Sequence, residues 1–164
     1  MKGTLERVFG RQDVPPPPGR VLHLKKIKGQ DHLVVVILSK SWEGWNTHYY
    51  DGRTHLHLGD RKLCEGCKKK RKLIWNGFIH VASADLKHTF LVAINNNGAH
   101  RLVELRDGHD SLRGMRVSLS RENQYAKGTL VIEPLGWIED GVKLQIPSSA
   151  QPTLERLWNC TLDD

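Results

Sequence analysis

The sequence lacks a hydrophobic run long enough to cross a membrane. The longest, LVVVIL at 33–38, has the length of a β-strand, whereas a membrane-spanning helix needs about 20 apolar residues. The chain has only three cysteines, and its start carries no apolar leader. A small, odd number of cysteines does not suit a disulfide framework. We therefore expect a protein of the reducing cytoplasm that does not associate with membranes.

Motifs of the common enzyme classes are also missing. GxGxxG and Walker phosphate loops are absent, and no Ser/His/Asp order indicates a nucleophilic triad. A zinc deaminase requires HxE and PCxxC, but HLH at 55–57 has no glutamate and Leu63 stands where the proline would be. The carboxylates nearest the cysteines, Asp60 and Glu65, lie among lysines. The sequence thus predicts a binding protein and not an enzyme.

What the chain does have is a compact group of metal-binding residue types. Cys64 and Cys67 form a CxxC motif, and several histidines precede it. Two thiolates from one tight turn can face a single ion, and two imidazoles would complete a tetrahedral Zn²⁺ site. Gly66, inside the motif, permits the backbone conformation of such a turn. The predicted ligands are Cys64, Cys67, His57 and His48, with His55 as the alternative.

A redox CxxC is the competing interpretation. Such a motif opens a helix in a βαβ unit, but EGC followed by KKKRK offers no apolar helical face. Instead, WNTHYY and RTHLH flank Asp51-Gly52, the typical turn of a β-hairpin. His55 and His57 would then point to the same side of one strand. The pattern favours a metal site built on a hairpin.

Positive charge is concentrated beside the second cysteine. The net charge is +7, which favours a polyanionic partner, with nucleic acid first. The alternatives are a solvated face and a localisation signal. The residues predicted to face phosphates are Lys68, Lys69, Lys70, Arg71 and Lys72. The second choice is a group on a later strand: Arg113, Arg116 and Arg121.

Aromatic residues flank the cysteine and histidine motifs. Their rings could form part of the core, or lie exposed so that nucleic-acid bases stack on them. The stacking candidates are Trp42, Trp45, Tyr49 and Trp75.

Apolar and polar residues alternate over several segments, which predicts a mainly β fold. In the segment 20–28 the alternation predicts a strand with Val21 and Ile27 inward. A helix is predicted over 95–108 with Asn97 as its cap.

Three strands, a helix and two strands are the order of an OB-fold-like Greek-key barrel, with a β-sandwich as the alternative. We expect a proline-rich arm at 1–19, this domain at 20–146 with a zinc knuckle inserted at about 48–72, and a C-terminal helix and tail at 147–164.

The sequence also resembles a known family. The succession H, DGR, HLG, C, GC, basic residues and RKLIWNGFIHV, then LRGMRVSLSREN and KGTLVIEP, is similar to small phage and mobile-element single-stranded DNA-binding proteins. These have an OB-fold with an inserted zinc ribbon, and the resemblance covers about 20–135. It implies sequence-tolerant binding of single strands, DNA before RNA, in replication or recombination. It also places His48 and His57 at ligand positions where the family commonly has His and Cys.

A second hypothesis is a zinc-stabilised adaptor in a nucleoprotein complex. The proline-rich arm or the C-terminal helix would dock a protein partner. The segment VKLQIP, predicted as an edge strand, could pair between copies and give a homo-oligomer.

Overall fold

The computed structural model describes residues 13–14, 21–123 and 129–160. The strands are β1 (Asp13–Val14), β2 (Leu24–Lys25), β3 (His32–Ile37), β4 (Glu43–Tyr50), β5 (Arg53–Leu56), β6 (Leu73–Ser83), β7 (Thr89–Ile94), β8 (Met115–Arg121), β9 (Leu130–Trp137) and β10 (Leu144–Gln145). The helices are α1 (Glu65–Lys68), α2 (Asn96–Arg106) and α3 (Gln151–Trp158). The prediction of a mainly β chain is confirmed. None of the described helices is long and apolar enough to span a membrane.

One mixed sheet contains most of the strands, in the order β2-β7-β6-β3-β8-β9. The hairpin of β4 and β5 is attached to β6. β2 runs parallel to β7, while the other neighbours are antiparallel. Among the described residues the outer strands β2 and β9 do not pair, so the sheet is open. A barrel closes only when its two edges meet, and β2 lies on the edge of β7 that a closing strand would need.

The long strand β6 organises the region that carries the candidate site. Along one edge its first half pairs with β4, Glu43 opposite Phe78, and its second half pairs with β3, Val35 opposite Ser83. Its other edge pairs with β7. The chain therefore leaves β3, passes through the β4–β5 hairpin and α1, and returns into the middle of the sheet as β6.

The helix α2 covers the main core. The side chain of Asn95 caps it by accepting a hydrogen bond from Gly98 N at 2.9 Å, so the helix prediction is confirmed but the cap predicted at Asn97 is wrong. Leu102 is fully buried in the main hydrophobic cluster, and the helix packs mostly against β9, β6 and β7. The Asn95 oxygen reaches the third residue after it, which is the spacing that N-capping requires.

The C-terminal helix α3 is part of the same packed unit. Its Leu154 and Trp158 are buried against Phe78, and Trp45 packs beside them. The prediction of a helix here is confirmed. The apolar face of α3 therefore lies against the domain. Leu157 lies outside this face and is 42 % exposed. Residues 161–164 of the predicted tail lie outside the described residues.

The predicted edge strand and the predicted arm meet each other. β10 pairs in parallel with β1, so Leu144 lies opposite Asp13. Asp13 also accepts from Arg113 Nη2 at 2.6 Å. This part of the arm is therefore attached to the domain, and the strand proposed to pair between copies pairs within the chain. Residues 1–12 and 15–20 of the arm lie outside the described residues.

The first half of the segment 20–28 turns the opposite set of side chains towards the core from the set that was predicted. Val21 is 39 % exposed, whereas Leu22 is 3 % exposed. Ile27 is buried as predicted. Packing of Leu22 and Leu24 against the domain selects the inward phase, which an alternating pattern alone does not fix.

Candidate metal centre

The β4–β5 hairpin places the two histidines of the centre. Asp51 and Gly52 both have positive φ, 49° and 78°, and join Tyr50 to Arg53 in the tight turn that the sequence predicts. His48 lies on β4, and His57 follows the end of β5. The His57 backbone N–H donates to the Asn46 carbonyl at 2.8 Å, which holds His57 beside β4.

A single turn of helix, α1, places the two cysteines. Cys64 occupies its N-cap position, and Cys67 lies one turn further along. The helix ends in a Schellman motif, in which Arg71 N donates to Gly66 O at 2.9 Å and Lys70 N to Cys67 O at 3.0 Å. The sequence did not predict this helix, because four residues are too few to show an apolar period.

The four side chains converge on one point. Their potential ligand atoms all lie within 4.8 Å of one another. Cys67 Sγ is 3.5 Å from His48 Nε2 and 3.6 Å from His57 Nδ1, and the two nitrogens are 3.0 Å apart. A tetrahedral Zn²⁺ with ordinary bond lengths would separate N from S by about 3.6 Å and N from N by about 3.3 Å. The residues therefore fit a zinc ion of Cys2His2 ligation.

The backbone after the helix orients the first histidine. His48 Nδ1 lies 3.0 Å from the Arg71 carbonyl oxygen and 3.1 Å from that of Lys72. Carbonyl oxygens only accept, so Nδ1 carries the proton and Nε2 presents its lone pair to the other three residues. A ligating histidine fixed through its second nitrogen is the usual arrangement around a metal.

Electrostatics favour a thiolate at Cys64. Burial opposes its ionisation, but hydrogen bonds from the backbone of Cys67, Leu58 and Gly66 together lower the pKa of this thiol. Burial and the neighbouring Cys64 raise the pKa of Cys67. One thiolate is thus stabilised by the fold, and a bound cation would remove the unfavourable effect of two adjacent negative sulfurs.

Gly66 is needed for space and not for a positive φ. It lies in α1, and the ring of His48 packs on it. A methyl group at this position would overlap Cγ and Cδ2 of His48 and lie 2.6 Å from its Cβ. The glycine predicted to ease a turn therefore serves to let the imidazole approach the helix.

His55, the alternative ligand, lies outside the cluster. Its ring stacks on Tyr50, with centroids 3.8 Å apart, and its Nε2 lies 3.2 Å from the Tyr50 carbonyl oxygen. Lys69 Nζ sits 4.8 Å from the centroid of the Tyr50 ring. His55 therefore supports the hairpin next to the basic run of residues 68–72.

Members of the basic run differ in how they are placed. Lys68 pairs with Glu65 at 2.6 Å and Lys69 with Asp51 at 2.8 Å. The side chains of Lys70, Arg71 and Lys72 are exposed, and no ion pair is described for them within residues 21–123. Within residues 68–72, the cations that are exposed and not held in an ion pair are therefore those at 70–72.

Lys70 has a left-handed backbone, with φ 52°. Glycine is the usual residue at this position of a Schellman motif, and other residues there lose about 1 kcal/mol or more. We expect Lys70→Gly to stabilise the protein by up to about 1 kcal/mol relative to Lys70→Ala, as measured by chemical denaturation. Both variants lose the same charge and should weaken oligonucleotide binding equally. A glycine variant less stable than the alanine variant would contradict the backbone assignment.

The later arginines divide in the same way. Arg113 is 8 % exposed and donates to the carbonyl oxygens of Leu38, at 2.7 Å, and Gln145, at 3.0 Å. Its guanidinium thus holds β3 and β10 together. Arg121 donates to the Ile27 carbonyl at 2.9 Å, and Arg116 is exposed on β8. Of the second-choice group, Arg116 is the residue placed to meet a ligand.

The four aromatic candidates lie in different environments. Tyr49 is 58 % exposed, and Trp42 lies with Arg106 over its ring at 5.0 Å. Trp75 is half-buried and covers the paired glycines at 44 and 77, where a side chain on either would overlap its ring. Trp45 packs against the C-terminal helix.

Comparison with protein-family models, with curated proteins and with solved structures found no match to this chain. The resemblance to single-stranded DNA-binding proteins therefore stays a prediction from the sequence motifs.

Proposed function

We propose that this protein binds single-stranded nucleic acid, DNA before RNA, through a basic segment, residues 68–72, that a structural Zn²⁺ holds in shape. The zinc would be held by His48, His57, Cys64 and Cys67. Four protein ligands complete a tetrahedral shell and leave no open position for a substrate, so the ion supports structure and not catalysis.

One contact carries the proposal. The Nδ1 proton of His48 is shared with the carbonyl oxygens of Arg71 and Lys72, the last residues of the basic run. Any ion that orders His48 therefore also fixes the backbone from which the exposed cations project. A preordered cationic segment loses less entropy when it meets a phosphate chain.

The position of the metal centre in the sheet supports the same function. We interpret the strand order β7-β6-β3-β8-β9, with α2 between β7 and β8 in the chain, as that of an OB-fold opened between its third and fifth strands. On this interpretation the metal centre lies in the connection between the first and second barrel strands. OB-folds bind oligonucleotides with that connection and with the face of the adjacent strands.

Salt dependence provides the test. Replacing Lys70, Arg71 and Lys72 by alanine should make the log–log slope of binding against salt shallower by about 2, since each neutralised phosphate of a single strand contributes about 0.7. The measurement is fluorescence anisotropy of a labelled oligonucleotide at increasing salt.

The matched control removes the same charge elsewhere. Lys26, Lys87 and Lys143 are exposed and lie outside the basic run, and their combined replacement by alanine should leave the slope within about 0.5 of the parent. An equal loss in both triple variants would show that only net charge matters, and a slope that does not respond to either would remove the proposed interface.

The adaptor hypothesis is favoured by a separate observation. Apolar side chains stand exposed around the metal centre: Leu58 at 49 %, Leu63 at 67 %, Leu73 at 44 % and Ile74 at 41 %. Such side chains suit a protein partner better than a phosphate chain. Leu63→Ser should leave oligonucleotide affinity unchanged if single strands are the ligand, and should weaken recruitment of a protein partner if adaptor function is correct.

A further inference from the structure

A cavity lies on the face of β4 and β6 opposite to His48, where β3 and β4 follow each other along one edge of β6. β3 pairs with β6 up to Ile37 and Val81, and β4 takes over from Glu43 and Phe78. The connecting segment 38–42 leaves a gap, which the chain ahead of α3 covers. The resulting cavity has a volume of about 720 Å³ and an open mouth.

Three residues of the cavity wall have polar atoms that lack a partner. Among the described parts of the chain, nothing hydrogen-bonds to Ser39 Oγ, His80 Nε2 or Ser148 Oγ. Ser39 is only 8 % exposed, so bulk water does not compensate it. A buried polar atom left unpaired costs about 1–3 kcal/mol. Each of these three atoms has almost no accessible surface, so a ligand in the cavity would pair with them only after their side chains turn towards it.

The histidine of the wall is a neutral acceptor. Burial lowers the pKa of His80, while a hydrogen bond to the backbone of Ser148 and the charge of Glu43 oppose that effect. In the tautomer that carries the proton on Nδ1, Nε2 keeps a free lone pair. The remaining lone pair at Nε2 can accept a hydrogen bond from an N–H or O–H group of a ligand.

Part of the remaining wall is aromatic. Trp45 and Phe78 line the cavity, and Trp158 holds the Trp45 ring from behind, with centroids 5.5 Å apart. A ring fixed in this way offers a stacking surface without loss of side-chain entropy. Two charged side chains, Lys40 and Glu43, stand exposed at the mouth.

We propose that this cavity binds one nucleotide, with the base inside against Trp45 and Phe78 and the phosphate outside against Lys40. The base edge would pair with Ser39, His80 and Ser148, and an exocyclic amino group would reach Glu43. This inference rests on the proposed function and specifies a site that the basic segment does not include. A free nucleotide and one nucleotide of a bound strand both present a base and a phosphate, so either would fit this description.

Other ligand classes use the cavity less completely. An apolar ligand would leave the three polar atoms unpaired, and a simple anion would not use the aromatic wall and would meet the carboxylate of Glu43. A base with its attached phosphate satisfies the hydroxyls, the imidazole, the rings and the lysine together. Trp45 and His48 are three residues apart on β4, so their side chains point to opposite faces and the cavity is separate from the basic segment.

The test is a titration of the full, zinc-loaded chain, observed by amide NMR. The probes are dAMP, dCMP, dGMP, dTMP and a short single-stranded oligonucleotide. We expect saturable shifts at Ser39, Gly44 and Ser148 with at least one mononucleotide. Ser148→Leu should weaken this binding at least 10-fold by filling the cavity, and Lys40→Ala should weaken it about 3-fold to 10-fold by removing the phosphate contact.

Two controls separate this site from the basic segment. Lys87→Ala removes an exposed charge outside the cavity and should leave mononucleotide binding unchanged. The triple alanine variant at 70–72 should reduce oligonucleotide binding and leave mononucleotide shifts intact. If Ser148→Leu does not fold, Lys40→Ala, which changes an exposed side chain, provides the same comparison.

The outcomes distinguish the two proposals. Shifts at 70–72 with the oligonucleotide, without shifts at the cavity from any probe, would overturn the nucleotide site and leave the proposed function standing. Cavity shifts with the oligonucleotide alone would support a strand residue as the ligand. Cavity shifts with mononucleotides, but no oligonucleotide binding, would support a free nucleotide and overturn the proposed function.

Discussion

Replacing Cys67 by serine is expected to abolish stoichiometric zinc binding. Even changes next to a metal ligand cost about 10-fold to 100-fold in metal affinity, so loss of a thiolate from a four-ligand set should exceed 100-fold. Structural zinc contributes about 10–16 kcal/mol to the folding of zinc-finger peptides. The hairpin, α1 and the segment 70–72 should therefore lose their fixed arrangement, and oligonucleotide binding should fall with them.

The measurements are metal content by mass spectrometry and oligonucleotide affinity. Cys160 supplies the matched control, because it is the third cysteine and packs beside α3, away from the ligand cluster. Cys160→Ser should retain one zinc per chain and parental affinity. Zinc content that survives in Cys67→Ser, or parental binding by a zinc-free protein, would contradict the metal centre or its link to nucleic-acid binding, respectively.

Gly66→Ala is expected to disrupt the same centre without touching a ligand. The added methyl group would overlap the His48 ring, so either the ring or α1 must move. A displaced His48 loses its alignment with His57 and its bonds to the carbonyl oxygens at 71 and 72. We expect zinc affinity to fall about 100-fold, because changes to groups that hold a metal ligand in place cost about 10-fold to 100-fold.

Gly59→Ala is the control for that substitution. Gly59 lies in the same connection, and a methyl group there would meet no atom within 4 Å. Competition with a chromogenic chelator would give both zinc affinities under identical conditions. Equal affinities for the two alanine variants would show that the His48 ring does not depend on the bare Cα of Gly66.

The histidine ligands illustrate how far the spacing could lead. Strand alternation put His55 and His57 on one side, and left their order open. In the structure β5 ends at Leu56, so alternation no longer applies at His57, whose backbone bonds to Asn46 instead. His55 stays on the strand and stacks on Tyr50. The end of a strand depends on its partner and is therefore not visible in spacing.

Arg113 shows the same limit for charge. In the sequence it belongs with Arg116 and Arg121 on one alternating segment. Its bond to the Leu38 carbonyl joins residues 75 positions apart, and together with the bonds to Gln145 and Asp13 it buries the guanidinium. A charged residue type predicts exposure only until a long-range contact provides enough acceptors.

Closure of the barrel was likewise beyond local patterns. The mainly β character and the α2 helix follow from local residue patterns and are confirmed, although the helix is capped by Asn95 and not by Asn97. Whether the sheet closes depends on which segment covers the edge of β7, and the short β2 does so through two backbone positions. Its residues carry no signal that distinguishes this use from a longer strand.

By itself, the sequence determined the chemistry of this protein: two thiols and nearby imidazoles suited to zinc, a cationic segment beside them, and a mainly β framework. These follow from residue types and short spacings, which local geometry converts into structure. Only the tertiary structure decided which histidine joins the thiols, which cations remain exposed, and that Ser39, His80 and Ser148 line one cavity. Those outcomes depend on contacts between distant segments, where packing and burial determine which groups face each other.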